Sequence, residues 1–219
     1  MCTFAFDNDF FNLNRIMKLY RMNSRRPVFT AWLVGVLGLL CVGCGGGEDT
    51  PKPVAYLRID MPEKDYHSFD TMGLPFSFEK AVDADVLWKK NTRTEKWIDL
   101  SYPQYRGVIY LTYKALGSPD SLRAQIDTSY HFLSQHFNFS TGVDERQFVN
   151  PDNHVYATTC QLKGTNVACT YQFWATDSVR HFLRGALYLD YVPNNDSLAP
   201  VIDYLRADID HLLETLTWK

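Results

Sequence analysis

The sequence is short of cysteine and of basic residues and lacks a glycine-rich phosphate loop, and each shortage excludes a class of protein. Five cysteines in 219 residues are too few for a disulfide scaffold. The 22 basic residues do not exceed the 25 acidic ones, so charge gives no reason to expect nucleic acid as a partner. An intrinsically disordered chain is also excluded, because 46% of the residues are apolar and 15% are aromatic.

The amino terminus carries an apolar segment that is short for a membrane span. Residues 27–43 contain no charge and follow five bases, whereas a helix that crosses a bilayer of about 30 Å needs about 20 residues. The pattern predicts a signal peptide over residues 1–43, with residues 1–16 as an over-extended start. An uncleaved membrane helix is the alternative.

The segment Cys41-Val42-Gly43-Cys44 resembles a bacterial lipobox, which predicts that Cys44 receives the lipid. The glycine run at 45–47 then starts a flexible linker, so we predict a lipidated cysteine and linker over residues 44–53 and a domain over residues 54–219. Processing at Cys44 leaves 17 basic and 23 acidic residues, a net charge of −6. Such a charge does not indicate a basic membrane-binding face.

Short strand patterns fill most of the exported part. Alternation of apolar and polar residues over residues 97–102 is typical of a half-buried strand, and the segment 107–114 is apolar on both faces, which places it centrally in a sheet. The other predicted strands are 55–59, 75–79, 154–162, 167–175 and 181–191. Gly185 in the last of these indicates a bulge or a close backbone approach.

Two helices are predicted from their caps and apolar stripes. The first begins with Ser118 as N-cap and Pro119 at the first helical position, and it ends before Gly142. In the second, Ser197 caps, Pro200 lies in the first turn, and the stripe runs from Val201 to Leu216. The opposite face is expected to be solvated and carries Asp203, Arg206, Asp208, Asp210 and Glu214.

The order of these elements predicts one α+β domain. Several strands, a helix, three strands and a helix suit a largely antiparallel sheet of about six to seven strands packed with two amphipathic helices. Gly164-Thr165 suits a two-residue hairpin loop, which places Cys160 opposite Cys169 at roughly 4.5 Å between Cα atoms. We therefore predict a Cys160–Cys169 disulfide in an oxidising compartment, with two free buried thiols as the alternative.

Candidate catalytic residues are sparse. His131 and His136 are five residues apart, which separates them by about 140° on a helix and prevents them from sharing a metal. Asp177, Ser178 and His181 supply acid, nucleophile and base types, but no strained Gly-x-Ser-x-Gly elbow surrounds the serine. We expect no catalytic residue, metal or cofactor.

Several long stretches resemble the gliding-motility lipoprotein GldD family of Bacteroidota. The similarity follows the lipobox and spans nearly all of the exported domain, so it does not depend on one short motif. The stretches that carry it are residues 56–66, 75–79, 97–100, 176–188 and 193–201.

The resemblance implies an envelope lipoprotein of the gliding and type IX secretion machinery. The protein is expected to act beside other envelope lipoproteins of that machinery and to reach the membrane through its lipid anchor. It is expected to bind no nucleic acid. The outer membrane, facing the periplasm, is the preferred location. The family supplies no established catalytic residues to carry over.

Two functions of different classes remain. In the first, the domain binds or stabilises another envelope protein without catalysis, through charged and aromatic residues beside a sheet edge. The candidate contact residues are Arg58, Asp60, Glu63, Tyr66, Arg180, His181 and Arg184. Intramolecular ion pairing, for example of Arg58 or Arg184 with an aspartate, is the alternative role for these residues. In the second, the protein is a periplasmic hydrolase that uses Ser178 or His181.

Four short segments match the Asp-Ser/Thr-apolar pattern on which Bacteroidota attach O-glycans. The modified hydroxyls would be those of Thr71, Ser121, Ser178 and Ser197. Two of these triplets also lie at predicted helix starts, where Asp and Ser serve as caps in any case.

Overall fold

Two antiparallel sheets and two helices make up residues 61–219, the part of the chain that the computed structural model describes. These residues fall within a single compact unit. The predictions for the signal peptide, Cys44, the linker, the strand at 55–59, Arg58 and Asp60 lie outside the described residues.

The bounds of the elements follow the chain in order. The strands are β1 (Tyr66–Phe69), β2 (Phe76–Ala81), β3 (Asp85–Asn91), β4 (Glu95–Tyr102), β5 (Gly107–Ala115), β6 (Gly142–Asn150), β7 (Val155–Lys163), β8 (Cys169–Thr176), β9 (His181–Leu189) and β10 (Thr217–Trp218). The helices are α1 (Pro119–Ser134) and α2 (Asn195–Thr215). Neither of these helices is both long and apolar enough to pass through a bilayer.

The larger sheet has seven strands in the order β3-β4-β5-β9-β8-β7-β6. It consists of two meanders, β3 to β5 and β6 to β9, which join where β5 pairs with β9. The interior position of β5 was predicted from its apolar residues on both faces. A smaller sheet has the order β1-β2-β10.

The helices cover opposite faces of the seven-stranded sheet. Side chains alternate along β8, so Phe173 points toward α2 and joins the larger core, whereas Trp174 points toward α1. Leu205 and Ile209 of α2 are fully buried in the larger core. The predicted α+β architecture with two packed helices is confirmed.

The caps of the two helices were predicted with unequal success. Ser118 caps α1 as predicted, and Ser121 completes a capping box with it. The predicted cap of α2 at Ser197 is wrong, because the helix starts at Asn195 and Pro200 lies inside it. The Asn195 amide donates to the carbonyls of Gly164 and Val167 at 2.7 and 3.1 Å, which fixes this earlier start.

The register of the β7–β8 hairpin differs from the predicted one. Cys160 faces Gln172 rather than Cys169, and both cysteines are free and buried, so the predicted disulfide is wrong. The connection contains five residues, 164–168, instead of two, because Val167 is buried in the core. Burial raises the pKa of the Cys160 thiol to about 12 and that of Cys169 to about 11. Both thiols are therefore protonated near neutral pH.

Candidate functional site

The turn between β8 and β9 is held by one carboxylate. Oδ1 of Asp177 accepts the backbone N–H groups of Val179, Arg180 and His181 at 3.0, 2.8 and 2.8 Å. Burial alone would raise the pKa of Asp177, but these three donors and the nearby imidazole outweigh it and lower the pKa below its ordinary value. The turn is thus built around a charged carboxylate.

His181 lies directly behind this turn and is almost completely buried. The Tyr113 hydroxyl lies 2.9 Å from Nδ1, and the imidazole stacks on Trp218 with centroids 5.2 Å apart. Nε2 has no hydrogen-bond partner and lies 4.0 Å from Oδ2 of Asp177. Burial lowers the pKa of His181 more than Asp177 raises it, so the ring is neutral near pH 7.

This arrangement does not bring Ser178 and His181, the residues of the alternative hydrolase, together as a nucleophile and its base. Ser178 is exposed, adopts a left-handed backbone with φ of 70°, and makes no side-chain hydrogen bond to His181. The imidazole faces Tyr113 and Trp218 instead, in the interior. A nucleophile needs a base within hydrogen-bond reach, and the described geometry does not supply one.

An open cleft of about 570 Å³ lies outside the turn, and we call it the terminal cleft. Val179 is 67% exposed and Arg180 is exposed, whereas the Trp218 indole N–H donates to the His154 carbonyl at 3.1 Å and forms a fixed wall. The cleft presents charges of both signs beside apolar surface. Its lining residues are Asp152, Asn153, His154, Asp177, Val179, Arg180, Thr217, Trp218 and Lys219.

Arg184, a predicted contact residue, is half-buried beneath α1. Its Nη2 donates to Oε1 of Gln172 at 2.7 Å, and the guanidinium lies 4.7 Å from the centroid of the Phe132 ring. No carboxylate of residues 61–219 lies within 4.0 Å, so the predicted alternative of an ion pair with an aspartate is wrong for this residue. Burial lowers the pKa of Arg184.

Tyr66, another predicted contact residue, is engaged within the domain. Its hydroxyl donates to Oδ1 of Asp208 at 3.0 Å, and its ring stacks on His211 with centroids 3.7 Å apart. The Lys64 ammonium pairs with the same carboxylate. Asp208 is only 4% exposed, so its predicted position on a solvated face of α2 is wrong. Glu63 is exposed.

Sequence reasoning missed the pairing of Lys64 with Asp208, although α2 carried a signal for it. Asp208 stands three residues after Leu205 and four before Leu212, which is the spacing of the apolar stripe itself. A carboxylate at such a position is buried when the helix packs and therefore needs a cationic partner. The identity of that partner depends on a contact 144 residues away.

The hydroxyls predicted to carry glycans lie in different environments. Ser178 is exposed, and Thr71 and Ser197 are partly buried. The Ser121 hydroxyl accepts the Ser118 backbone N–H at 3.1 Å and donates to its carbonyl, so the cap occupies it. Glycosylation at these positions stays a prediction.

Acidification is expected to destabilise the domain through two imidazoles, one buried and one half-buried. The pKa values of His181 and His136 are both lowered by burial, so the unfolded chain binds more protons than the folded one once the pH falls below the ordinary value of about 6.5. The lowered pKa of Asp177 reduces the stability of the domain only at a more acidic pH, where this carboxylate becomes protonated. The urea concentration at the midpoint of unfolding should therefore decrease as the pH is lowered from 7.5 to 5.5. The decrease should be smaller in His181→Phe. The exposed His131→Phe is the control, and an unchanged slope in His181→Phe would contradict the assignment.

Among residues 61–219, no group of three or more His, Cys, Asp or Glu side chains is placed to hold a metal ion.

Comparison with known proteins identifies the family. The search of curated proteins gives no match. The model of the family described as gliding motility lipoprotein GldD matches residues 46–218, which is most of the chain. The chain therefore belongs to the gliding motility lipoprotein GldD family.

Proposed function

We propose that the protein is a non-catalytic binding component of the gliding motility and type IX secretion apparatus. Membership of the family supports a role in gliding and a lipoprotein attached to the cell envelope. The proposed anchor is the lipidated Cys44, and the proposed location is the outer membrane facing the periplasm. The proposed partners are other envelope lipoproteins of the same apparatus.

One observation carries the choice of binding over catalysis. The β8–β9 turn uses its polar groups to fix its own backbone, since Asp177 accepts three N–H groups and Thr176 accepts that of Ser178 at 2.9 Å. What it presents outward is an apolar side chain, Val179, next to a cation, Arg180. A rigid turn that displays an apolar and a charged group beside a cleft suits recognition of a protein surface.

Reversal of this surface is expected to abolish partner capture. Val179→Asp with Arg180→Glu should reduce the crosslinked partner recovered from native envelopes at least tenfold, because it removes an apolar contact and inverts a charge. Neither side chain is buried, so folding should be unaffected. The measurement is quantitative mass spectrometry of crosslinked complexes, together with gliding or secretion in a deletion strain.

A matched control lies at the opposite end of the sheet. Lys163 lies near the β7–β8 connection, and its side chain is 55% exposed. Lys163→Glu reverses the charge at this position. It should leave capture unchanged. Equal capture by the wild-type protein and the double variant would overturn the role of the terminal cleft. Loss of gliding in Ser178→Ala with capture intact would favour the hydrolase instead.

A further inference from the structure

A short hairpin carries a positive charge that the net charge of the protein conceals. Residues 88–97, which we call the basic hairpin, contain the four bases Lys89, Lys90, Arg93 and Lys96 and a single acid. The rest of residues 61–219 contains 11 bases and 19 acids. Lys114 adds a further base, because it lies on β5 directly opposite Glu95.

Two tryptophans flank this charge on opposite faces of the hairpin. Trp88 pairs with Ile98 of β4 and lies on the same face of the hairpin. Trp97 comes one residue before Ile98 on β4 and therefore points to the opposite face. Trp88 is 39% exposed and Trp97 43% exposed. Leu87, on the Trp97 side, is also exposed.

The bases of the hairpin divide into a structural one and outward-facing ones. Lys96 is buried and donates to Asn91 Oδ1 and the Thr92 carbonyl at 2.7 and 3.0 Å, which fixes the turn. Lys90 pairs with Glu95, the only acid of the hairpin. Arg93 at the tip has no carboxylate within 4.0 Å in residues 61–219.

Lys89 adds a second outward cation. Its side chain is 54% exposed and lies 3.7 Å from the carboxylate of Asp99. This single ion pair offsets the charge of Lys89, while Arg93 and Lys96 have no carboxylate within 4.0 Å in residues 61–219. The tip of the hairpin thus keeps a surplus of positive charge next to two indoles.

We propose that the basic hairpin rests on a bilayer surface that carries anionic headgroups. Tryptophan prefers the boundary between headgroups and acyl chains, and clustered lysine and arginine are attracted to anionic lipid. A flat protein partner would contact one face of a hairpin, but a layer of headgroups surrounds its tip and contacts both. The indoles on opposite faces therefore favour the lipid surface over an acidic protein.

The proposal rests on the lipid anchor that we propose at Cys44. Sixteen residues separate Cys44 from Met61, and an extended chain of that length reaches about 55 Å. The anchor therefore allows the hairpin to contact the same membrane. Contact at this second point would fix the orientation of the domain, so that it no longer rotates freely on its linker.

Hydrogen exchange of the full lipidated chain tests this contact. The protein is reconstituted in vesicles of phosphatidylcholine with 30% phosphatidylglycerol, and in vesicles of phosphatidylcholine alone. Flotation of the protein with the vesicles first reports the anchor, independently of the hairpin. Exchange at residues 91–95 should be at least fivefold slower in the anionic vesicles, whereas exchange at 164–168 should be equal in both.

Two charge-reversed variants separate a specific contact from a general charge effect. Lys89→Glu with Arg93→Glu should abolish the difference between the two kinds of vesicle. The control, Arg123→Glu with Lys163→Glu, makes the same change of charge at exposed positions elsewhere and should retain it. Equal exchange in both vesicles for floated wild-type protein would overturn the proposal. So would slowing that requires an added envelope protein, which would indicate an acidic protein partner.

Discussion

Gly185→Ala is expected to destabilise the domain by about 2–3 kcal/mol, because the added methyl group has no space. A Cβ at Gly185 would lie 2.1 Å from Cε1 and 2.5 Å from Cζ of Phe173. Gly185 and Phe173 are neighbours across β9 and β8, and the phenyl ring is fully buried against α2. The ring cannot move aside without displacing the packed core. Urea unfolding of the full chain measures the effect.

A control and a compensating change make this expectation sharp. Gly117→Ala adds the same methyl group where nothing lies within 4 Å, so it should change the stability by less than about 0.5 kcal/mol. Phe173→Leu combined with Gly185→Ala should recover more than about 1 kcal/mol relative to the sum of the single changes. If Gly185→Ala were as stable as Gly117→Ala, the close contact would be disproved.

Removal of the buried carboxylate of Asp208 is expected to cost about 3 kcal/mol, because it leaves the Lys64 ammonium without its counter-charge. The carboxylate side chain is 3% exposed and that of Lys64 19% exposed, so water compensates the lysine only partly. Tyr66 loses its hydrogen-bond acceptor at the same time. Asp208→Ala measured by urea unfolding should therefore rank among the most destabilising single changes in α2.

Two further variants test whether the pair itself is responsible. Asp203→Ala removes a carboxylate from the same helix at a position that is 60% exposed, and it should cost less than about 1 kcal/mol. Lys64→Met combined with Asp208→Leu replaces both charges and should be clearly more stable than Asp208→Ala. A double variant no more stable than the single one would show that the loss comes from packing rather than from the unpaired cation.

The sequence allowed the central part of the sheet to be predicted, but not its edges. Strands β4, β5, β7, β8 and β9 carry apolar alternation or apolar runs because they are covered on at least one face. Strand β3 has a bulge between Trp88 and Lys90, and its side chains are mostly exposed. Strand β6 is also an edge strand with a polar sequence, and β10 has two residues. Such strands are defined by their partners rather than by a pattern of their own.

The candidate site was predictable only where its contacts are local. Asp177 and Ser178 lie between the predicted strands 167–175 and 181–191, and the turn found there is held by hydrogen bonds within five residues. The stacking of His181 on Trp218 and its contact with Tyr113 depend on residues that are far apart in sequence, which no local pattern reveals. The net charge of the domain was uninformative for a similar reason, since a sum over all residues does not reveal the local positive charge of the basic hairpin.

The pairing of β2 with β10 determines when the domain can finish folding. Phe76 of β2 is completely buried, yet its strand partner Trp218 comes 142 residues later. Under the periplasmic location that we propose, export from the amino terminus would leave this phenyl ring in water until α2 and β10 have been translocated. During that interval the chain is open to aggregation and to proteolysis, so a periplasmic holdase that shields aromatic segments would benefit its export.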